Sequence, residues 1–378
     1  MLSELQLELK NQLVRFCSDV IEPHMEEDDK SENFRMDIYN KIGELGLAGV
    51  TLPEEYGGAG LSYEDLCVVL SEIAKSSVSY AVTLSVSTMS QSILNDFGTE
   101  EQKKKYLPSL TSGEEIGAFA LSESHSGSDA AALKTTAKKV EGGYILNGTK
   151  MWISSGGIAK TYIVMARTGE EGHRGISAFI VRDGAQGFSY GKKEQKMGWK
   201  VSPTRELIFE NCFVSDSDLL KEEGFGFKIA LAALDKGRIT IGSIAVGLAQ
   251  RALDEAVKYS LERKQFNQPI FEFQGLQFMM AEMATEIECS RLLVEEAAKN
   301  YDRGHKNQKV ACMAKLKATD TAMKVTTDAV QILGGVGYTS EYPVERFMRD
   351  AKVLQIVEGT NQIQKVVIGR SLKKEYTK

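Results

Sequence analysis

The feature that most constrains the fold is a change of hydrophobic periodicity at two points of the chain. Up to about residue 117, apolar residues recur at helical spacing, as Leu5, Leu9 and Leu13 do. From 118 to about 223 the chain shows short β-rich runs with turns between them, which favours a small barrel or sandwich. From 224 onward the helical period returns in long stretches that indicate an antiparallel bundle. We therefore predict an N-terminal α-helical domain (1–117), a middle β domain (118–223) and a C-terminal helical bundle (224–378).

The same patterns predict individual elements. We expect helices at 33–47, 63–75, 77–96, 100–107, 224–261, 272–302, 307–333 and 360–373. The segment 80–94 carries few charges, which predicts a buried helix. Strands are expected at 144–146, 162–165, 176–181 and 206–209, and Asn147-Gly148 is a candidate hairpin turn.

The composition argues against several classes of protein, namely nucleic-acid-binding, membrane-spanning and metal-binding proteins. The net charge of -6 over 378 residues argues against general nucleic-acid binding. No apolar run is long enough to cross a bilayer, and the acidic N-terminus is typical of a mature helix rather than a targeting peptide. Five scattered cysteines indicate reduced thiols in the cytoplasm of a bacterial-type cell, with the mitochondrial matrix as the alternative. Four isolated histidines predict no metal site.

One acidic residue stands at a junction between elements. Glu358 ends the apolar run Val353–Val357, Gly359 permits a sharp turn, and Thr360-Asn361 can cap a helix with apolar positions at Ile363, Val366 and Val367. Burial would raise the pKa of such a carboxyl toward neutrality, as a base acting on a carbon acid requires. The alternative is that Glu358 charges a helix N-terminus, and the segment alone favours that alternative.

Three segments, taken in their order along the chain, favour the interpretation of Glu358 as a base. Ala120–Asp129 reads ALSESHSGSD, Gln331–Tyr338 reads QILGGVGY and is followed by Glu341, Arg346 and Asp350, and Glu358–Gln362 reads EGTNQ. Together they resemble the signatures of the acyl-CoA dehydrogenases over nearly the whole chain. The resemblance implies the α+β fold of that family, with N-terminal helices, a middle β-barrel and a C-terminal antiparallel four-helix bundle.

The resemblance also implies an FAD site. Phe119, Leu121 and Ser122 would border the flavin, Trp152 would flank it, Ser154 would bond near its N5 atom, and Ser128 would reach the pyrophosphate. Further FAD contacts would be Arg263, Phe266, Thr360 and Gln362. Without the resemblance, these residues would be interpreted as a Ser-rich loop, a core Trp and an exposed helix end. The loop departs from the common family pattern at Ser124-His125-Ser126, which leaves its shape open.

Gln331, Gly334 and Gly335 resemble residues that bind the FAD of a neighbouring subunit. Glycines allow backbone N–H groups to approach a phosphate closely. A cofactor held by two chains implies an oligomer, and the family precedent is a homotetramer built as a dimer of dimers.

For the acyl-CoA substrate, the resemblance implies contacts from Ser128, Asp235, Arg238 and Gly359. The alternative for Asp235 and Arg238 is a surface ion pair at i, i+3. Some relatives place the base at the position of Gly237; a glycine cannot serve as a base, so the catalytic role is assigned to Glu358.

The activity implied is FAD-dependent α,β-dehydrogenation of a short-chain acyl-CoA to the trans-2-enoyl-CoA. Glu358 would take the Cα proton, hydride would pass to flavin N5, and the backbone N–H of Glu358 would bind the thioester carbonyl. An electron-transferring flavoprotein would be the electron acceptor. A short branched-chain enzyme is the first alternative. An acyl-CoA oxidase, a flavoprotein without activity and a helical protein without cofactor are less favoured.

Overall fold

The structure is a computed structural model that describes residues 3–170, 172–305 and 308–377. Helices precede and follow a β-sheet in chain order, which confirms the predicted architecture. Among the described residues, no helix combines the length and the apolar character needed to span a bilayer.

The first part of the chain is helical. Its helices are α1 (Glu4–Phe16), α2 (Met25–Ser31), α3 (Met36–Glu44), α4 (Tyr63–Ser76), α5 (Val78–Phe97) and α6 (Glu100–Thr111). Ser3, Ser62 and Thr99 begin α1, α4 and α6 with reciprocal capping boxes, which satisfy backbone donors that a helix start leaves unpaired. Nearly every side chain of α5 is buried from Val78 to Leu94, which confirms the predicted buried helix. Helix α6 continues past the predicted end at 107 through Pro108 to Thr111, whose hydroxyl donates to the Leu107 carbonyl.

The middle part forms an eight-stranded sheet. Its strands are β1 (Gly117–Ala120), β2 (Thr136–Val140), β3 (Gly143–Ser154), β4 (Thr161–Arg167), β5 (Ile176–Arg182), β6 (Phe188–Lys193), β7 (Thr204–Ser215) and β8 (Leu219–Leu220). Their order is β6-β7-β3-β2-β4-β5-β8, and β1 pairs with β4 in parallel. Strands β4 and β5 are apolar and buried almost throughout, so they form the centre of this part.

The hairpin prediction at Asn147-Gly148 is wrong. Strand β3 runs through this dipeptide, and the turn lies at Glu141-Gly142, where Gly142 has φ 75°. Asn147-Gly148 instead coincides with a shift in the pairing of β3 with β7. A Cβ on Gly148 would lie 2.7 Å from the Thr135 Cα atom, so a close backbone approach requires the glycine.

The last part is a helical bundle. It contains α7 (Gly226–Glu262), α8 (Gln274–Asp302), α9 (Gln308–Leu333), α10 (Val344–Leu354) and α11 (Asn361–Tyr376), with two short strands, β9 (Lys264–Gln265) and β10 (Gln268–Pro269), after α7. Helix α7 packs against α8, α9, α4 and α5. It is buried without interruption from Lys236 to Ala249, which makes it the central helix of the molecule.

Two details of the bundle differ from the prediction. Helix α10 was not predicted, although Val344, Phe347, Ala351 and Leu354 bury one face at helical spacing. In α11, Val366 is 45% exposed, while the polar Asn361 and Gln364 are buried. Gln364 donates to the preceding turn, which carries Glu358, and the Asn361 side chain bonds Thr319 and Asp320 of α9.

Candidate active site

The turn between α10 and α11 places Glu358. Both Glu358 (φ 55°) and Gly359 (φ 83°) have left-handed backbones, and this conformation is strained for glutamate. The Gln364 side-chain amide holds the turn by donating to the carbonyl oxygens of Glu358 (3.1 Å) and Gly359 (2.7 Å). Thr360 caps α11 as predicted, accepting from the Ile363 N–H at 3.3 Å.

The Glu358 carboxylate faces Gly237 of α7. The residue as a whole is half-buried, but its Oε2 atom is shielded from solvent and has no hydrogen-bond partner in the described part of the chain. A Cβ on Gly237 would lie 2.5 Å from this oxygen and 2.7 Å from the Met89 methyl group of α5. A side chain at position 237 would therefore occupy the space in front of the carboxylate.

This environment changes the acidity of Glu358. Burial raises the pKa of Glu358 to about 7, and the positive charges of Arg238 and Lys315 act in the opposite direction. Neither carboxylate oxygen bonds an N–H group of α11 within the described residues, so the helix-terminus alternative lacks its expected contact. A shielded carboxyl that titrates near neutrality has the properties of a general base.

Asp235 and Arg238 lie one turn apart on α7. Arg238 donates to Asp235, so the predicted i, i+3 pair exists, but Arg238 is only 4% exposed and the surface alternative is wrong for it. The Arg238 Nε atom is buried without a partner among the described residues. Gln308 also donates to Asp235, at 2.9 Å.

The predicted flavin residues of the sheet lie side by side. The Met151 N–H donates to the Ser122 carbonyl at 2.9 Å, which brings Leu121 and Ser122 next to Trp152 and Ser154. Trp152 is 51% exposed with φ 59°, at an irregularity between Lys150 and Ile153, so core packing is the wrong interpretation of this Trp. An exposed indole beside a half-buried hydroxyl offers one flat surface and one hydrogen-bond donor.

This group connects to the carboxylate through apolar packing. Leu121 and Met89 belong to one buried cluster, and Phe119 packs against it. Because Met89 also approaches Gly237, the cluster extends from the flavin residues to the space in front of Glu358.

A buried ion pair supports the loop that follows β1, and the sequence analysis missed it. Lys150 (0% exposed) donates to the Glu123 carboxylate at 2.8 Å and to the Leu121 carbonyl at 3.1 Å. The Lys134 and Thr135 N–H groups also bond Glu123, at 2.7 and 2.9 Å. Burial acts to raise the pKa of Glu123, but the Lys150 charge and these bonds lower it to about 2. Nothing in the local pattern around either residue indicates that the two side chains meet.

The loop that departs from the family pattern is well defined. Glu123 and Ser126 exchange two backbone hydrogen bonds of 3.0 Å, and the buried Ser126 hydroxyl donates to the Asp129 carbonyl at 2.7 Å. Ser128 lies on the exposed side of the loop. Ser126 thus stabilises the turn, and Ser128 is accessible.

The remaining predicted cofactor residues lie at one end of the bundle, except Thr360 and Gln362, which flank the turn. Phe266 is 86% exposed, and Arg263, Gln331, Gly334 and Gly335 are exposed. Tyr259 near the end of α7 and Tyr342 beyond α9 have ring centroids 5.5 Å apart, so the ends of the two helices are neighbours. From Gly237 to the end of α7 the helix advances roughly 40 Å. Along α9, Gln331 lies 16 residues, or roughly 24 Å, from Lys315, which donates to the Gly359 carbonyl. The structure therefore separates these five residues from Glu358 along the bundle.

Three family models match: Acyl-CoA dehydrogenase, N-terminal domain (residues 3–114), middle domain (118–212) and C-terminal domain (224–373). The chain belongs to the acyl-CoA dehydrogenase family. The family resemblance and the fold expected from it are confirmed. Acyl-CoA dehydrogenases are flavin-dependent oxidoreductases, so the chain is an enzyme of this class.

Individual acyl-CoA dehydrogenases are similar over the full length. An acyl-CoA dehydrogenase of Bacillus subtilis is 47% identical over 97% of each chain. A mitochondrial isobutyryl-CoA dehydrogenase of Dictyostelium discoideum is 43% identical over 99% of this chain and 90% of its own.

Solved structures agree with this result. Butyryl-CoA dehydrogenase of Megasphaera elsdenii superposes with a TM-score of 0.97, at 42% identity over 98% of this chain and 99% of that one. A chain in the structure described as the electron transferring flavoprotein of Acidaminococcus fermentans has the same TM-score, with 47% identity over 98% of each chain.

The residues in place fit FAD, the cofactor of the family. The exposed Trp152 beside Ser154 provides a surface for a flat ring. At Gly334 and Gly335 an added Cβ would have no atom within 4 Å in the described part of the chain, apart from the adjoining residues, so their backbones are open to a phosphate.

Proposed function

We propose that the enzyme converts a short-chain acyl-CoA into the trans-2-enoyl-CoA, with Glu358 as the general base. The observation that carries the proposal is the shielded, unpartnered Oε2 atom of Glu358, which faces the space that Gly237 leaves open. When bound, FAD supplies the acceptor for the Cβ hydride.

The chain's own groups account for the proton transfer. Ionised Glu358 takes the Cα proton, and its raised pKa makes it a stronger base than an ordinary carboxylate. The Glu358 N–H has no acceptor in the described part of the chain. It is free to donate to the thioester carbonyl, where negative charge develops as the proton leaves. Met89 and the apolar cluster around it keep water away from the carboxylate.

We further propose that each FAD is bound by two subunits of a homotetramer. Arg263 and Phe266, just beyond the end of α7, lie roughly 40 Å along that helix from Gly237, and Gln331 lies roughly 24 Å along α9 from Lys315, which contacts the Glu358 turn. Because this group is well separated from the Glu358 site within one subunit, we propose that it serves the FAD of a neighbouring subunit.

Gly335→Val tests this arrangement. Among the described residues other than its chain neighbours, no atom lies within 4 Å of a Cβ at position 335, so the subunit should fold normally while FAD affinity falls. Gly369→Val is the matched control, because position 369 is also open and exposed but lies on α11, seven residues beyond Gln362. FAD is released by denaturation and quantified by chromatography, and light scattering gives the mass. Wild type should hold about one FAD per chain as a tetramer. Recovery of FMN, or a monomer that holds FAD tightly, would refute the proposal.

The acyl pocket is proposed to be short and partly walled by α5. Met89 lies close to both Gly237 and the Glu358 carboxylate, which limits the depth available beside the base. Since each well-packed methylene changes selectivity about 10- to 200-fold, kcat/KM should peak at roughly four to six carbons. A series of acyl-CoAs from acetyl to palmitoyl checks this prediction, and a maximum at palmitoyl-CoA would contradict it.

A short branched-chain acyl-CoA is the second candidate substrate. The similarity to an isobutyryl-CoA dehydrogenase favours it, as the butyryl-CoA dehydrogenase structure favours the straight chain. Anaerobic bleaching of the flavin by butyryl-CoA and by isobutyryl-CoA distinguishes them directly. An electron-transferring flavoprotein is proposed as the electron acceptor, consistent with the similarity to a chain of the Acidaminococcus fermentans structure.

A further inference from the structure

Lys315 is a buried cation that the proposed mechanism does not yet use. It lies on α9 with 0% exposure. The two other buried lysines among the described residues each pair with a carboxylate: Lys150 with Glu123 at 2.8 Å, and Lys236 with Asp96 at 2.6 Å. Lys315 has no carboxylate within ion-pair distance in the described part of the chain. Burying a charge without such a partner costs folding free energy. A lysine at this position therefore calls for a physical reason.

The contacts of Lys315 point to the catalytic turn. Its ammonium group donates to the Gly359 carbonyl at 3.1 Å and to the Asn361 side-chain oxygen at 2.8 Å. The same Gly359 carbonyl accepts from Gln364, so two side chains hold one peptide group. That carbonyl belongs to the peptide between Gly359 and Thr360, so the contact fixes the residue that follows Glu358 in the left-handed turn, while Gln364 also holds the Glu358 carbonyl itself.

We propose that Lys315 is a positioning residue for the base: its ammonium group fixes the Gly359 carbonyl, and its positive charge keeps Glu358 ionised. This inference rests on the proposed function, in which Glu358 must be ionised to accept a proton.

The other charged groups around the turn each have a direct partner. On α7, Arg238 lowers the pKa of Glu358 more strongly than Lys315 does, but Arg238 shares its charge with Asp235 in a direct ion pair. On α9, Asp320 is occupied by the side-chain amides of Asn361 (2.7 Å) and Gln355 (2.6 Å). Burial lowers the pKa of Lys315 to about 8, while the charges of Glu358 and Asp320 act to raise it. At neutral pH Lys315 is therefore mainly charged and supplies a positive charge that no direct partner neutralises.

The charge and the contact can be separated by substitution. Lys315→Gln keeps a donor for the carbonyl but removes the charge, so the pKa of Glu358 should rise by roughly one unit or more. Lys315→Arg keeps the charge and should leave the titration near that of wild type. Lys317→Gln is the matched control, because it removes a positive charge from the same helix at a partly exposed pair with Glu286.

The readout is a titration that needs no turnover. Infrared difference spectra of the FAD-loaded protein follow the protonated carboxyl of Glu358, identified by its loss in Glu358→Gln. A midpoint that moves to higher pH in Lys315→Gln, and stays in place in Lys317→Gln, supports the proposal. An unchanged midpoint in folded, FAD-loaded Lys315→Gln would overturn it, as would a shift of one unit in Lys315→Arg. A different experiment tests the proposed function itself. If Glu358→Gln reduced its flavin with substrate as fast as wild type, Glu358 would not be the base, whatever the titration of the Lys315 variants shows.

Discussion

Gly237→Ala is expected to slow substrate dehydrogenation by about 100-fold. The added methyl group would lie 2.5 Å from the Glu358 Oε2 atom and 2.8 Å from its Cδ atom. The carboxylate must move to relieve this contact, and a displacement of about 1 Å in a reacting group is enough for a loss of about 10². The flexible Met89 side chain, 2.7 Å from the same position, can yield more easily.

Gly242→Ala provides the control for this prediction. It lies on the same helix, where alanine improves helix propensity equally, and its nearest neighbour would be the Val294 side chain at 3.0 Å. The two variants should match in FAD content and thermal stability, and only Gly237→Ala should lose the rate of anaerobic flavin bleaching. Equal rates in the two variants would show that the base does not depend on the space at position 237.

Most of the helices could be predicted from the sequence because their apolar period is long and regular, as in α7 and α9. Helix α10 was missed because its charged residues obscure a short apolar face. Asn147-Gly148 misled the prediction because the dipeptide favours both a hairpin and a bulge, and only the pairing of β3 with β7 decides between them. The domain boundaries after residues 117 and 223 stay predictions.

For the site, the motif around Glu358 was sufficient to select the residue but not to describe its surroundings. That Gly237 faces the carboxylate follows from the packing of α7 against the turn, and no local pattern shows it. The burial of Lys315, and the pairing of Lys150 with Glu123, join residues distant in sequence. Each of these lysines would be taken for an exposed residue from its type alone. The assigned contacts to FAD and acyl-CoA stay predictions.

Glu358→Gln is expected to reduce the rate of dehydrogenation by roughly two to four orders of magnitude, the usual effect of losing a general base. Glutamine keeps the size of the side chain but cannot accept the Cα proton. The turn should persist, because Gln364 and Lys315 hold the backbone carbonyls of Glu358 and Gly359 and not the carboxylate. FAD content and the affinity for the enoyl-CoA product should therefore remain near those of wild type.

The pH dependence of the wild type follows from the same group. Because burial raises the pKa of Glu358 to about 7, a growing fraction of the base is protonated as the pH falls below neutrality. The protonated acid cannot accept a proton, so kcat/KM should decrease toward acid pH with an apparent pKa near that value. A rate that stays level down to the ordinary range of glutamate would contradict the raised pKa.

The most direct test of Glu358 as the base is anaerobic stopped-flow reduction of the enzyme-bound flavin. Wild type and Glu358→Gln, loaded with equal amounts of FAD, are mixed with saturating butyryl-CoA, and with isobutyryl-CoA in parallel. The wild type should bleach rapidly with at least one of the two substrates, and the variant at least about 100-fold more slowly with the same substrate. Bleaching of Glu358→Gln at close to the wild-type rate would show that the Cα proton goes to another residue.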